Sequence, residues 1–221
     1  CTDATTDANV WYNVGGGTGD VQDFFYKGTT SIYASGIAIN GALKKNIESF
    51  AIASDGNMTT TGTLSSAQHT TGGGSKSDTY AYIIGGHGDG VPYTGAIQKY
   101  SFSSGVQNGS VISLASTYSG AYRAGFSDGS YAYTAGRYTV AGGVEYNTNT
   151  IERFNTSTEA AIEDHGDLSL PVSAPGFHSS ITHGYTAGGE GIPGGSVWFG
   201  HMDKFAFANN VTAASHGTLA P

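Results

Sequence analysis

Cysteine is almost missing from this chain. Cys1 is the only one, so no disulfide can form within it and stability has to come from packing. Charge is scarce too, at 12% of residues, and basic charge is scarcest, with 9 Lys and Arg against 17 Asp and Glu for a net −8. The basic residues never cluster beyond Lys44-Lys45, so an acidic surface repels phosphate backbones and no nucleic acid is expected as a partner. No apolar run approaches the ~20 residues that span a bilayer, so no transmembrane segment is expected and the chain reads as soluble. Helix formers are thin, and nothing sustains a 3.6-residue period.

Glycine, by contrast, supplies 35 residues and tyrosine 14. The glycines follow no collagen-like triplet, and the segments between them are β-branched and aromatic, which points to short strands and tight turns. One phrase occurs four times: Ser31-Ile32-Tyr33-Ala34-Ser35-Gly36, Tyr80-Ala81-Tyr82-Ile83-Ile84-Gly85-Gly86, Tyr131-Ala132-Tyr133-Thr134-Ala135-Gly136 and His183-Gly184-Tyr185-Thr186-Ala187-Gly188-Gly189. Anchored on Tyr33, Tyr82, Tyr133 and Tyr185, its copies lie 49, 51 and 52 residues apart. A second phrase begins at Ile47, Ile97, Ile151 and Met202, and a third ends at Leu64, Leu114, Leu168 and Leu219. Each of these repeats at 50, 54 and 51 residues. Three markers holding one period define a repeat protein.

The repeats run about 31–79, 80–130, 131–182 and 183–221, after an N-terminal tether and closing segment at 1–30. Each has room for four short strands, placed in the second near 80–85, 97–102, 110–115 and 121–127. Four antiparallel strands per ~50 residues is the arithmetic of a β-propeller blade. Ile97, Lys99 and Ser101 alternate with Gln98, Tyr100 and Phe102, so both faces carry apolar residues, as a sheet packed between neighbours requires. The fourth repeat lacks the closing stretch that Tyr122–Ser127 gives the second. A strand from 8–30 is expected to supply it, pairing the two ends of the chain and removing exposed sheet edges. The fold class expected is therefore all-β, a β-propeller of four-stranded antiparallel blades with four blades, the N-terminal strand closing the last. A larger ring, or one completed by several chains, is the alternative. The glycines ending the first phrase are expected to turn with positive φ.

An apolar strand ending in Gly-Gly, a variable loop and an Ile-x-Lys/Arg-aromatic strand resemble the kelch-type repeat of β-propellers. The wording Gly184-Tyr185-Thr186-Ala187-Gly188-Gly189, Met202-Asp203-Lys204-Phe205-Ala206-Phe207-Ala208 and His216-Gly217-Thr218-Leu219 is most similar to kelch-like repeats in virion proteins of marine tailed bacteriophages. The resemblance covers about 31–221. It departs from cellular kelch repeats in lacking the third-strand tryptophan and in supplying four repeats where six or seven blades are usual. A leading cysteine with a polar Thr2–Asp7 tether resembles a mature bacterial lipoprotein, and the other reading is a cut within a longer chain.

Catalytic constellations are sparse. Some kelch-type propellers are copper-radical oxidases, which the resemblance implies would need a cysteine cross-linked to a tyrosine, and Cys1 lies outside the repeats. The seven histidines show no His-x-His or His-x-x-x-His spacing, although His87 and His201 fall in loops read as equivalent. Glu48, Gln98, Glu152 and Asp203 recur once per repeat, which marks a structural role such as pairing with Arg153 or Lys204 or accepting backbone N–H bonds. Asp55-Gly56-Asn57, Asp89-Gly90 and Asp128-Gly129 read as turns, and Gly15-Gly16-Gly17 lacks the Lys-Ser/Thr of a phosphate loop. No cofactor, metal or catalytic residue is expected.

The remaining candidates lie between the first and second phrases, at 37–46, 87–96, 137–150 and 190–201. These vary while their flanks hold constant, as function grafted on a scaffold does. They carry His87, Tyr93, Tyr138, Tyr146, Trp198, Phe199 and His201, and such aromatics suit stacking on sugars or docking on protein. The expectation is a non-enzymatic structural or adhesion module on the virion surface, present in many copies, binding a neighbouring virion protein or a host glycan. The alternatives are a bacterial surface or secreted propeller, and a carbohydrate-active enzyme.

Overall fold

The computed structural model describes residues 26–27, 30–34, 45–51, 57–65, 68–69, 73–88, 91–102, 107–113, 119–191 and 197–219. Among them every regular element is a strand, arranged in four antiparallel sheets. No helix among the described residues is long and apolar enough to cross a membrane.

The first sheet comprises β1 (Tyr26–Lys27), β2 (Thr30–Ala34), β3 (Asn46–Ala51) and β4 (Thr59–Thr63). The second comprises β5 (Gln68–His69), β6 (Gly73–Lys76), β7 (Tyr80–Gly88), β8 (Val91–Ser101) and β9 (Gln107–Ser113). The third holds β10 (Ala124–Ser127), β11 (Tyr131–Ala141), β12 (Val144–Asn155) and β13 (Glu163–Asp167). The fourth holds β14 (Gly176–Ser179), β15 (His183–Ala187), β16 (His201–Ala206) and β17 (Ala214–Thr218). Each sheet runs as a meander in chain order, with β5 and β6 both pairing to β7.

The three phrases become the second, third and fourth strands of each sheet. The frame is offset from the sequence reading: the stretch ending in Ser127 pairs with β11 and opens the third sheet instead of closing the second. In consequence the fourth sheet has its four strands already, from Gly176 to Thr218. Tyr26 and Lys27 pair with β2, so this part of the N-terminal segment belongs to the first sheet and does not complete the fourth. Residues 8–25 of that segment lie outside the described residues.

A second correction concerns Tyr33. In the later sheets the anchoring tyrosine pairs opposite a basic residue: Tyr82 with Lys99, Tyr133 with Arg153 and Tyr185 with Lys204. In the first sheet Tyr33 pairs with Glu48, and it is Ile32, opposite Ser49, that takes the tyrosine's place. One residue of register exchanges the two faces of a strand. Counted from Ile32, the first interval becomes 50, equal to those of the other two phrases. The same register gives every sheet one cross-strand pair of a small residue with an aromatic: Ser31–Phe50, Ala81–Tyr100, Ala132–Phe154 and Gly184–Phe205. At Gly184 a Cβ would meet the Phe205 ring at 2.4 Å, which shows why the partner must be small.

Consecutive sheets pack face to face. Ile47 and Leu64 of the first cluster with Ile83 and Tyr100 of the second. Tyr82, Ile84 and Ile97 of the second meet Ala132 and Phe154 of the third. Tyr133, Ala135, Ile151 and Leu168 of the third meet Phe205 and Phe207 of the fourth. Ile97 thus faces forward and Tyr100 backward along β8, and both are buried, as the alternation of apolar residues requires.

The anchoring tyrosines carry hydroxyls across these interfaces. Tyr82 donates to the Thr156 carbonyl at 3.2 Å and Tyr133 to the Phe207 carbonyl at 3.3 Å, each two residues beyond the aromatic of the next sheet. Near the first strands the sheets approach backbone to backbone. A Cβ on Gly125 would lie 2.2 Å from the Gly74 carbonyl, while the Ser75 and Ser127 hydroxyls donate reciprocally to the carbonyls of Phe126 and Lys76.

Two bulges recur. Gly85, Gly136 and Gly188 take φ of 63–66° at the end of the first phrase, and register shifts there in the second and third sheets. This is a glycine-centred bulge that re-aims the strand. The other leaves Thr61, Val111, His165 and His216 as extra residues opposite the second phrase.

Candidate functional site

Past the glycine bulge, two of the stretches read as loops are β-hairpin arms. In the second sheet β7 continues to Gly88 and β8 starts at Val91, and in the third β11 reaches Ala141 and β12 starts at Val144. A two-residue turn at Gly142 and Gly143, both with positive φ, closes the longer arm.

Connecting segments tie these arms together. The Gly86 amide donates to the Gly120 carbonyl at 3.0 Å, and Ala121 exchanges both backbone bonds with Tyr138. One sheet on, Val172 donates to the Thr148 carbonyl at 3.2 Å and Ser173 exchanges bonds with Glu190. Each connector is therefore held from both sides. Tyr122 and Ala174, at matching places in these connectors, take φ of 57° and 50°. Their shared conformation belongs to the turn into the next sheet.

On this framework Tyr93 and Tyr138 meet edge to face at 5.2 Å, and Tyr122 packs against Tyr138 at 6.2 Å. Burial, then hydrogen bonds to Glu145 and Tyr93, push the Tyr138 phenol up, so it stays protonated at neutral pH. Tyr122 is 39% exposed and was not among the expected residues. Its signal was that Ala121-Tyr122-Arg123 departs from Ser173-Ala174-Pro175 at the same repeat position.

The other expected residues are spread out. Tyr146, opposite Thr139 in the arm, is exposed but lies one register place away from the cluster's Tyr138–Asn147 pair. Trp198 is 68% exposed and held by a backbone bridge to Glu190. Phe199 turns inward, its ring filling the space that a Cβ on Gly191 would need and packing on the core between the third and fourth sheets. His87 pairs by its backbone with His69. It occupies the repeat position of Tyr138 and Glu190, whereas His201 matches Thr150, so the two histidines are not equivalent.

Arg123 and Arg137, each the chain neighbour of one of these tyrosines, belong to a buried ion triad. Glu152 accepts from Arg123 Nη1 at 2.9 Å and from Arg137 Nη1 at 2.6 Å, one guanidinium on each carboxylate oxygen. Burial lowers the Arg123 pKa to about 10, the Arg137 charge adding to the effect and Glu152 opposing it. The cation persists at neutral pH. Glu152 pairs with these two, not with Arg153, which reaches Glu163. At the same repeat position Gln98 accepts from the Ser65 amide at 2.8 Å and Asp203 from the Ser169 amide at 2.9 Å. The recurring acceptor therefore ties the end of one sheet to the next, and in the third sheet it balances two cations.

These contacts define the chemistry on offer. Glu152 has both oxygens committed to guanidinium groups, so it is poorly placed to move a proton. His201 Nε2 lies 2.7 Å from Ser169 Oγ and 3.1 Å from Asp203 Oδ1. Both contacts use one nitrogen, whereas a nucleophile relay needs the two ring nitrogens on different partners. Among the described residues no three His, Cys, Asp or Glu side chains gather as metal ligands would. No protein-family model matches the chain, and no curated protein does. What the arrangement offers is a rim of partly exposed aromatic rings on interlocked arms, suited to stacking and apolar contact.

Proposed function

We propose that the four sheets are the blades of a four-bladed β-propeller and that the chain is a non-enzymatic structural or adhesion module. Its arms present Tyr93, Tyr138 and Tyr146, the connector between them Tyr122, and the segment bridged to Glu190 Trp198, to a neighbouring protein or to a surface glycan. The repeat wording favours the exterior of a tailed-phage virion, with many copies in the assembly. The observation that carries the reading is the tyrosine cluster, because rings placed on hydrogen-bonded arms lose little freedom when they bind. Acceptors such as Glu145 and the Glu190 side chain lie beside the rings in sequence, as sugar hydroxyls would need.

The test is binding of the chain to host cells and to a glycan array, compared with Trp198→Ala and Tyr93→Ala. A loss of about tenfold or more in affinity, with unchanged melting for Trp198→Ala, is expected, since about 1.4 kcal/mol per aromatic anchor corresponds to that factor. Parental binding by both variants would remove the arms from any adhesion role.

A further inference from the structure

Two of the exposed rings stand beside a carboxylate. In the third sheet Glu145 lies diagonally across the arm from Tyr138, two residues from that tyrosine's partner Asn147, which is within reach of an aromatic side chain. The Tyr138 hydroxyl donates to it. Glu145 is itself exposed, and a carboxylate accepting one bond has acceptor sites to spare. In the fourth sheet's approach Glu190 and Trp198 are bridge partners, which puts their side chains on one face with Cβ atoms about 5 Å apart. Trp198 is the most exposed large apolar side chain among the described residues.

One frame holds both pairs. Asn147 Nδ2 donates to the Glu190 carbonyl at 2.7 Å, so a path of backbone and side-chain bonds runs from Tyr138 through Asn147 to Glu190 and Trp198. The other amide atom, Asn147 Oδ1, is buried with no hydrogen-bond partner among the described residues. An unmet acceptor between two carboxylates adds to the negative potential there and calls for a donor.

No exposed cation offsets that potential. The stretches 86–96, 137–149 and 189–200 contain a single Lys or Arg, Arg137. It is buried on Glu152, as is Arg123 of the connector. Even with the triad's surplus positive charge counted, Glu145 and Glu190 leave this set of groups negative, and they are the members that meet solvent. An anionic ligand is therefore repelled, and a cationic one meets rings and carboxylates together.

Ring geometry narrows the cation. Tyr93 and Tyr138 touch each other, which leaves no cage between their faces for a quaternary ammonium, and Trp198 is an open platform. A flat saturated ring with a charge at its edge fits such platforms. A pyranose is also rigid, whereas a lysine stem loses rotamer freedom on binding.

We propose that the rim recognises amino sugars, the apolar face of the pyranose stacking on Trp198 or on Tyr138 and its ammonium group binding the neighbouring Glu190 or Glu145. The inference rests on the adhesion reading above and names its ligand class. Two platforms in one frame suit an oligosaccharide with more than one free amine, since the second contact forms within the complex.

The test is calorimetric titration of the unaltered chain, slightly below neutral pH, with hexamers of glucosamine, N-acetylglucosamine and a hexuronate, and with hexalysine. The glucosamine hexamer should bind at least about tenfold more tightly than its acetylated form, weaken with added salt and outcompete hexalysine, and the uronate should not bind. Glu145→Gln combined with Glu190→Gln should abolish that preference with melting unchanged. Glu163→Gln, an exposed acid on β13 at the far end of β12 from the arm, should leave it intact. Equal affinity for the free and acetylated hexamers, binding of neither, tighter binding of hexalysine, or an equal loss with Glu163→Gln would each overturn the inference. Host-cell attachment is scored beside it. Attachment that persists in the double glutamine variant leaves adhesion standing without amine selection, and its absence in the unaltered chain removes the adhesion reading itself.

Discussion

The third and fourth sheets answer the same sequence plan in different ways. In the third, the second-phrase acceptor is a glutamate between two buried arginines, and the bulged histidine is sealed under the next sheet. In the fourth, the acceptor is an aspartate taking a backbone amide, and the bulged histidine is exposed. Position within the repeat thus sets the need for a polar group, while neighbours decide whether that need is for a charge or only for an acceptor.

Substitution at the acceptor separates those needs most strongly. Glu152→Gln leaves two buried guanidinium groups short of a counter-charge and should cost about 3–5 kcal/mol in urea denaturation. Asp203→Asn keeps an acceptor for the Ser169 amide and should cost about 1 kcal/mol. Equal costs would mean that the triad's charge does not matter. A smaller effect is expected at the interface hydroxyls. Tyr133→Phe should cost about 1 kcal/mol through loss of the bonds to Phe207 and Asp128.

The smallest effect is a pH slope. Burial lowers the His165 pKa, with the Arg153 charge acting in the same sense and the Ala206 carbonyl opposing. With the folded value below the unfolded value of about 6.5, the unfolded chain binds more protons across that window. His165 stability is therefore full above about pH 6.5 and is lost as pH falls below it towards the lowered folded value. Melting midpoints between pH 7.5 and 5.5 should fall less steeply for His165→Phe than for the parent. An unchanged slope would place the titration elsewhere.

The strands of the second to fourth sheets were legible because each phrase concentrates β-formers between glycines, and the double-sided burial of β8 followed from Ile97 and Tyr100 falling on opposite parities. Two features escaped. The sheet frame was misplaced because a strand's partner is set by backbone bonding, and Ala124–Ser127 follows one phrase while pairing with the next. Tyr33 lies one residue beyond the anchoring position, because register follows the small–aromatic pairing of Ser31 with Phe50 and puts Ile32 there.

The candidate site was half legible. Tyr93, Tyr138, Tyr146 and Trp198 stood out as aromatics in variable stretches. Arg123 and Arg137 did not, because a triad assembled from a connector and two strands leaves no spacing signal, although all three arginines of the chain fall between 123 and 153. Stretches that vary between constant flanks read as loops, yet Gly136 lets β11 bend and continue into an arm.

Because each connector is bonded to the sheet before it and the sheet after it, a pull applied at the tip at Val140 or Val144 does not peel one hairpin alone. The tension runs sideways through main-chain bonds into adjacent sheets, where many have to shear together before the arm gives way.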